Sequence, residues 1–257
     1  MKKSLILTLC MFLLVLSGCQ SKQTESNESE TLTVSAAASL KDSVLDLKKQ
    51  LEKDYPDIQV TFNFGSTGAL RRQIEQGAPI DVFLSASRED YEELVHKELI
   101  ARNEGNVFLT NELVVISQKQ ARLNSIEDLL STNKKVAVGT PDVVPAGTYA
   151  KEALENMEVW DALQQQFIFA KDVRHVLTLV EEGAVEAGIV YKSDLSSAGD
   201  SVKILQEINP AKHSKIEYYA SIISTSKHSK EAKIFYDYIT SPSNQSIFEN
   251  YGFTSSN

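Results

Sequence analysis

Three stretches of this chain combine small residues with hydroxyls where an apolar strand pattern gives way to a helical one. They are Ser35-Ala36-Ala37-Ala38-Ser39-Leu40, Phe64-Gly65-Ser66-Thr67-Gly68 and Pro145-Ala146-Gly147-Thr148. The first turn of a helix presents backbone N–H groups with no carbonyl to reach, and its aligned peptide dipoles place roughly half a positive charge there. Small side chains let a ligand approach those groups, and Ser39, Ser66 and Thr67 add hydroxyl donors. The chemistry on offer is capture of an oxyanion without Lys or Arg. Any one of these turns is equally well read as a plain capped helix, because Ser is a preferred N-cap residue, and Gly65 and Gly68 equally suit tight packing. Three such turns in one chain favour the anion.

The elements that must position these turns follow from apolar periodicity. Leu32 to Ser35 is a strand, and Val44, Leu47 and Leu51 keep helical spacing until Tyr55-Pro56. Ile58 to Phe64 alternates as a strand with Val60, Phe62 and Phe64 on one face. A helix over Ala69 to Gln76 closed by Gly77, a buried strand Ile80 to Leu84 and a helix Tyr91 to Leu99 follow. That alternation predicts a parallel sheet with helices on both faces. A second unit opens at Leu113-Val114-Val115-Ile116. It continues with a short helix Ser125 to Leu130 capped by Ser125, a strand Lys135 to Val138, a helix Thr148 to Asn156 and a helix Val173 to Glu182. Strands at Ala187 to Tyr191, Val202 to Ile208 and Tyr218 to Ser224 precede helices Ala232 to Ile239 and Gln245 to Tyr251. The expected architecture is α/β and two-lobed, each lobe a doubly wound, mostly parallel sheet. We place lobe 1 at 31–112 plus 221–257 and lobe 2 at 113–220. Such sheets bind at the carboxyl ends of their strands, which puts the ligand in the interlobe cleft.

The amino terminus speaks to compartment. Lys2 and Lys3 precede an apolar run, Leu5 to Leu16, that is short for a bilayer span and reads as a signal peptide over 1–18. The run closes on Leu16-Ser17-Gly18-Cys19, which resembles the lipobox of bacterial lipoproteins. Lipid on Cys19 would anchor the chain to the outer face of the cell membrane. Ser21 to Glu30 carries no hydrophobic residue, so 19–30 reads as lipidated Cys and flexible tether. The only other cysteine, Cys10, leaves with the leader, and the mature chain cannot form an internal disulfide. The formal charge of −9 excludes a nucleic-acid footprint. It also means that whole-molecule steering cannot be what draws an anion in.

Longer stretches resemble the molybdate-binding proteins of bacterial ABC importers. They are Val34 to Leu40; Arg72-Gln73-Ile74-Glu75-Gln76-Gly77-Ala78-Pro79 with Asp81; Val144 to Leu154; Asp172-Val173-Arg174; Gly188-Ile189-Val190-Tyr191; Phe235 to Tyr238; and Tyr251-Gly252-Phe253. The resemblance runs in order from Thr31 to Thr254. It implies a periplasmic-binding-protein-like fold of the class II type and a solute-binding protein, not an enzyme. It also implies a monomer that needs no cofactor and hands molybdate or tungstate to an ABC permease. Ligand binding would fall on Ser39, Thr67 with Ser66 beside it, Ala146, Val173 and Tyr191, and molybdenum would enter only as molybdate. The family usually has Ser where this chain has Thr67, which adds a methyl to the pocket.

The chemistry of that set is coherent. Ser39, Thr67 and Tyr191 donate through hydroxyls, while Ala146 and Val173 offer only backbone N–H. A donor-only pocket suits a proton-free dianion and rejects hydrogen phosphate, whose own hydroxyl needs an acceptor. Sulfate, also proton-free, would have to be rejected by size. Competing readings are a sulfate-like oxyanion, ferric iron held by Tyr218-Tyr219, and a hydrolase built on Ser39. Strand neighbours such as Tyr218 and Tyr219 point apart, which weighs against the iron pair. Arg71 and Arg72 are expected to be solvated or paired with Glu75, and a supporting role near the ligand stays open for Arg174. His96, His175, His213 and His228 lack metal-ligand spacing. Ser224 and Lys227 fit a Ser-x-x-Lys pattern without its companion motifs.

Overall fold

Six strand ends converge on one cleft. The structure, a computed structural model, describes residues 30–256, so the leader, Cys19 and all but the last residue of the tether lie outside the described residues. In chain order the elements are β1 (Glu30–Ala37), α1 (Lys41–Asp54), β2 (Ile58–Gly65), α2 (Thr67–Glu75), β3 (Val82–Ser85), α3 (Arg88–His96), β4 (Ile100–Thr110) and β5 (Leu113–Gln118). Next come β6 (Val136–Gly139), α4 (Pro145–Asn156), α5 (Trp160–Leu163), β7 (Phe167–Ala170), α6 (Val173–Glu181), β8 (Ala187–Tyr191) and β9 (Val202–Glu207). The chain closes with β10 (Glu217–Ile223), α7 (Ser229–Thr240), α8 (Gln245–Glu249) and β11 (Thr254–Ser255).

The first sheet has strand order β11-β4-β10-β3-β1-β2 and the second β7-β6-β8-β5-β9. Strands β2, β1 and β3 are parallel, whereas β10 runs antiparallel between β3 and β4. In the second sheet β7, β6 and β8 are parallel and β5 is reversed between β8 and β9. Each lobe is therefore a mixed sheet whose parallel part carries the helices. The central strands of that part are near-continuous apolar runs buried on both faces, as β8 is from Ala187 to Tyr191, whereas the edge strands β2 and β7 are buried only in part.

Helix packing follows the predicted stripes. Val44, Leu47 and Leu51 of α1 are fully buried, each worth about 1.5–3 kcal/mol relative to exposure. Val173, Val176, Leu177 and Val180 do the same for α6. The chain crosses from the first sheet to the second at Asn111–Glu112 and returns before Glu217. The two crossings are tied by the Asn111 N–H donating to the Ile216 carbonyl at 3.2 Å. The expected break at 220/221 falls inside β10, whose residues from Glu217 onward pair in the first sheet.

Three strands were not anticipated, β4, β7 and the two-residue β11. β4 contains Arg102-Asn103-Glu104-Gly105-Asn106, a polar run without alternation, and is held by pairing with β10 and β11. β7 has four residues and is an edge strand that leaves Phe169 half exposed. The segment after Ser125 is a 3-10 turn, Ile126–Ser131, and the Ser125 side chain makes no capping bond. Asp128 instead accepts from the Asn124 N–H at 2.7 Å.

Candidate oxyanion site

The cavity in the cleft is built at the carboxyl ends of β1, β2, β3, β6, β7 and β8. The first sheet supplies Ala37 to Ser39 after β1, Gly65 to Thr67 after β2 and Ala86 after β3. The second supplies Val144 to Ala146 ahead of α4, Asp172 and Val173 ahead of α6, and Tyr191 at the end of β8. All six residues singled out from sequence, Ser39, Ser66, Thr67, Ala146, Val173 and Tyr191, line this one space. The space is small, about 220 Å³ when the open solvent at its mouth is counted in.

Each lining group reaches the cavity for a local reason. Ser39 is not the cap of α1: it lies in a 3-10 turn, Ala38–Leu40, and the backbone of Leu40 takes the cap position. Its Oγ is instead 2.9 Å from the Tyr218 hydroxyl. Thr67 opens α2, and its Oγ1 accepts from the Ala86 N–H at 3.2 Å, which leaves its proton free to donate elsewhere. α4 begins at Pro145, three residues earlier than its apolar pattern suggests. Ala146 thereby joins the first helical turn, where N–H groups have no intrahelical acceptor. Pro at this first position costs no hydrogen bond. Gly147 is needed because a Cβ there would sit 2.0 Å from the Gly139 carbonyl oxygen.

Val173 is the first residue of α6. Its N-cap Asp172, the one acidic residue among those lining the cavity, turns Oδ1 to accept from the His175 N–H at 2.8 Å. Tyr191 is fully enclosed, and its hydroxyl has no hydrogen-bond partner among the described residues. Burial, with Tyr218, Tyr149 and Asp194 nearby, pushes its phenol well above the usual range, so it keeps its proton and can donate. The backbone N–H of Tyr191 donates to Asp194 Oδ2 at 3.0 Å.

The lobes touch on both sides of this space. The Gly68 N–H donates to the Val143 carbonyl at 3.1 Å, an approach so close that a Cβ on Gly68 would lie 2.8 Å from the same oxygen. Arg174 spans the cleft, with its guanidinium 2.7 Å from Asp42 on α1 and 3.1 Å from the buried Asp194. Burial pushes the Asp194 carboxyl up to about 7 against the pull of Arg174 and the Tyr191 N–H. Arg174 is thus a tie between the walls, not a residue lining the cavity. Arg71 is paired with Glu75 and Asp90, and Arg72 is exposed.

Tyr218 and Tyr219 face opposite sides of β10. Tyr218 packs edge-on against Tyr191, while Tyr219 stacks on Tyr91 and donates to Glu217. No cluster of three or more His, Cys, Asp or Glu suited to a metal ion occurs among the described residues. Ser224 Oγ donates to the Glu98 carbonyl, away from the cleft. Three contributors were missed from sequence. Asp172 carried a readable signal, an N-cap residue before an apolar helix. Asn111 and Tyr218 carried none, because their partners are about eighty or more residues distant.

Comparison with known proteins agrees with this geometry. The model of the family described as bacterial extracellular solute-binding protein matches residues 32–254. A Bacillus subtilis chain named YvgL, described as a candidate ABC transporter substrate-binding lipoprotein, is 42% identical over 97% of this chain and 96% of its own length. The molybdate-binding protein ModA of Escherichia coli K12 is 38% identical over 87% of this chain and 88% of that one. Among solved structures, the substrate-binding domain of a candidate molybdenum ABC transporter from Clostridium difficile superposes with a TM-score of 0.68. It is 37% identical and covers 88% of this chain and 99% of that one. With two strand-end walls closing on one small cavity and a family match from end to end of the described fold, the chain belongs to the bacterial extracellular solute-binding proteins.

Proposed function

We propose that this protein captures molybdate between its lobes and delivers it to an ABC permease. The observation that carries the reading is the cavity itself. Hydroxyls and first-turn amides converge there from six strand ends, and no cationic side chain lines it. Relatives named for molybdate or molybdenum support the choice of ion. The ligand-binding residues are Ser39, Thr67, Ala146, Val173 and Tyr191, with Ser66 beside them. Tungstate, of the same charge and shape, fits the same donors. Hydrogen phosphate brings a proton that the hydroxyls and amides assigned to the ligand do not take up, and Asp172, the one lining carboxylate, already accepts from the His175 N–H. A donor left unmet in a buried site costs about 1–3 kcal/mol. Sulfate is excluded only by its smaller size. The chain acts as a monomer held to the membrane by lipid on Cys19.

Ligand that binds only the folded state raises its stability by RT ln(1 + L/Kd), where L is the free ligand concentration. Molybdate and tungstate are expected to raise the melting temperature of the purified protein at micromolar to millimolar concentrations, with phosphate nearly without effect. Equal stabilisation by phosphate would sink the donor-only account. Stabilisation by sulfate alone would move the assignment to a smaller oxyanion.

A further inference from the structure

The hydrogen bonding of Ser39 continues behind the cavity wall. Its Oγ lies 2.9 Å from the Tyr218 hydroxyl, which in turn lies 3.2 Å from Nδ2 of Asn111. The direction of this chain is set at its far end. Oδ1 of Asn111 accepts from the backbone N–H groups of Glu112 at 2.9 Å and Ser193 at 3.4 Å. Its Nδ2 therefore lies on the other side and donates to Ser193 Oγ at 2.8 Å and to Tyr218. Turning the amide over would set its NH₂ against two backbone donors, losing both bonds in a buried place. Tyr218 accepts from Asn111, and Ser39 is the one other hydrogen-bond partner of its hydroxyl among the described residues, so its single proton has Ser39 to go to. Burial pushes the Tyr218 phenol far above its ordinary value, so that proton stays on. Ser39 Oγ is thus an acceptor from behind, and its own proton has only the cavity side to go to.

We propose that Asn111 and Tyr218 are positioning residues that hold the Ser39 hydroxyl as a donor toward the ligand and thereby enforce the choice of a proton-free anion. The inference rests on the oxyanion reading of the cleft. A serine hydroxyl without such a partner can turn either its proton or a lone pair to the ligand, and a lone pair would welcome the hydroxyl of hydrogen phosphate. The relay spans the hinge: Asn111 sits at the first crossing, Tyr218 on the returning strand and Ser193 just past β8. Closing the lobes and orienting Ser39 are for this reason one event.

Tyr218→Phe keeps the ring that packs on Tyr191 and Phe253 and removes only the hydroxyl. Calorimetry on the wild type, Tyr218→Phe, Ser39→Ala and the double variant, each with molybdate and with phosphate, tests the relay. Tyr218→Phe is expected to weaken molybdate about tenfold, the scale of one hydrogen bond, while phosphate binding holds or improves. In the Ser39→Ala background the same change should have almost no effect on molybdate, because the group it orients is gone. An equal loss for both anions, or a molybdate loss that persists undiminished without Ser39, overturns the proposal. Where phosphate is too weak to measure, the molybdate cycle alone decides. Should Tyr218→Phe fail to fold, neutron diffraction of the wild type answers instead. A Tyr218 proton directed at Ser39 supports the relay, and a Ser39 proton directed at Tyr218 refutes it. A wild type that binds no oxyanion is a different failure, visible before any variant is measured, and it removes the reading of the cleft and the relay together.

Discussion

The wall from the first sheet meets the cavity with side-chain hydroxyls, Ser39, Ser66 and Thr67, whereas the wall from the second offers the backbone amides of Ala146 and Val173 with Tyr191 as its one hydroxyl. A hydroxyl can rotate and is directed by whatever bonds it from behind, as Tyr218 does for Ser39 and the Ala86 N–H does for Thr67. An amide cannot rotate; its aim is the aim of its helix. The first wall is consequently tuned residue by residue. The second, Tyr191 apart, is indifferent to which side chain carries the amide and sensitive to anything that shifts the start of α4 or α6.

The largest effect should come from moving a helix without touching a donor. Gly147→Ala sets a Cβ against the Gly139 carbonyl and must displace the first turn of α4. Moving the first turn of α4 withdraws its amide from the anion, and a lost hydrogen bond to a charged group is worth about 1.5–3 kcal/mol. Molybdate affinity is therefore expected to fall by at least about tenfold, and further where α4 carries other lining groups with it. Near-normal calorimetry for this variant would break the contrast between the walls.

Tyr191→Phe probes the one hydroxyl on the amide wall. Losing a charge-assisted hydrogen bond should weaken molybdate by about 1.5–3 kcal/mol. Because the hydroxyl has no protein partner, the ligand-free melting temperature should stay the same or rise. A fall in ligand-free stability matching the binding loss would show that the hydroxyl serves the fold instead.

Asp194 joins the walls through Arg174 and Asp42, and its carboxyl is pushed up to about 7 by burial. A carboxyl raised in the folded state holds its proton more tightly there than in the unfolded chain. Its contribution is complete at low pH and is lost as pH rises from the ordinary carboxylate range through about 7. Denaturant unfolding should show stability falling by at most about 1.4 kcal/mol per pH unit over that window, and Asp194→Asn should flatten the slope. A wild-type curve that is flat there, or unchanged in the variant, would separate the tie from Asp194.

Thr67→Ser is expected to do least. The hydroxyl keeps its bond from Ala86, and one methyl is worth about 0.8 kcal/mol. Titration with molybdate and sulfate should show a small change in affinity, with any change in preference running toward neither charge nor protonation but size.

Much of this was legible in the residues. The strands that feed the cavity are continuous apolar runs, as in β6 and β8, or alternate, as in β2, and the turns after them are marked by Ala, Gly, Ser and Pro at fixed places, so β1, β2, β6 and β8 and their turns could be placed from local pattern. Strand direction was not readable: nothing in Tyr218 to Ile223 announces that β10 inserts antiparallel between β3 and β4. The start of α4 was misjudged because Pro145 and Gly147 look like loop residues, although Pro suits a first helical position and Gly147 is there for contact with Gly139.

By itself the sequence determined the periodicities and the small-residue turns, because each is a property of neighbours within a few residues of one another. Only the tertiary structure decided what Ser39 does. Local pattern makes it the cap of a helix, and the fold makes it the front of a relay through Tyr218 and Asn111. Those partners are separated from it and from each other by long stretches of chain, and the hydrogen bonds that orient a hydroxyl act only between groups that folding has already brought within about 3 Å.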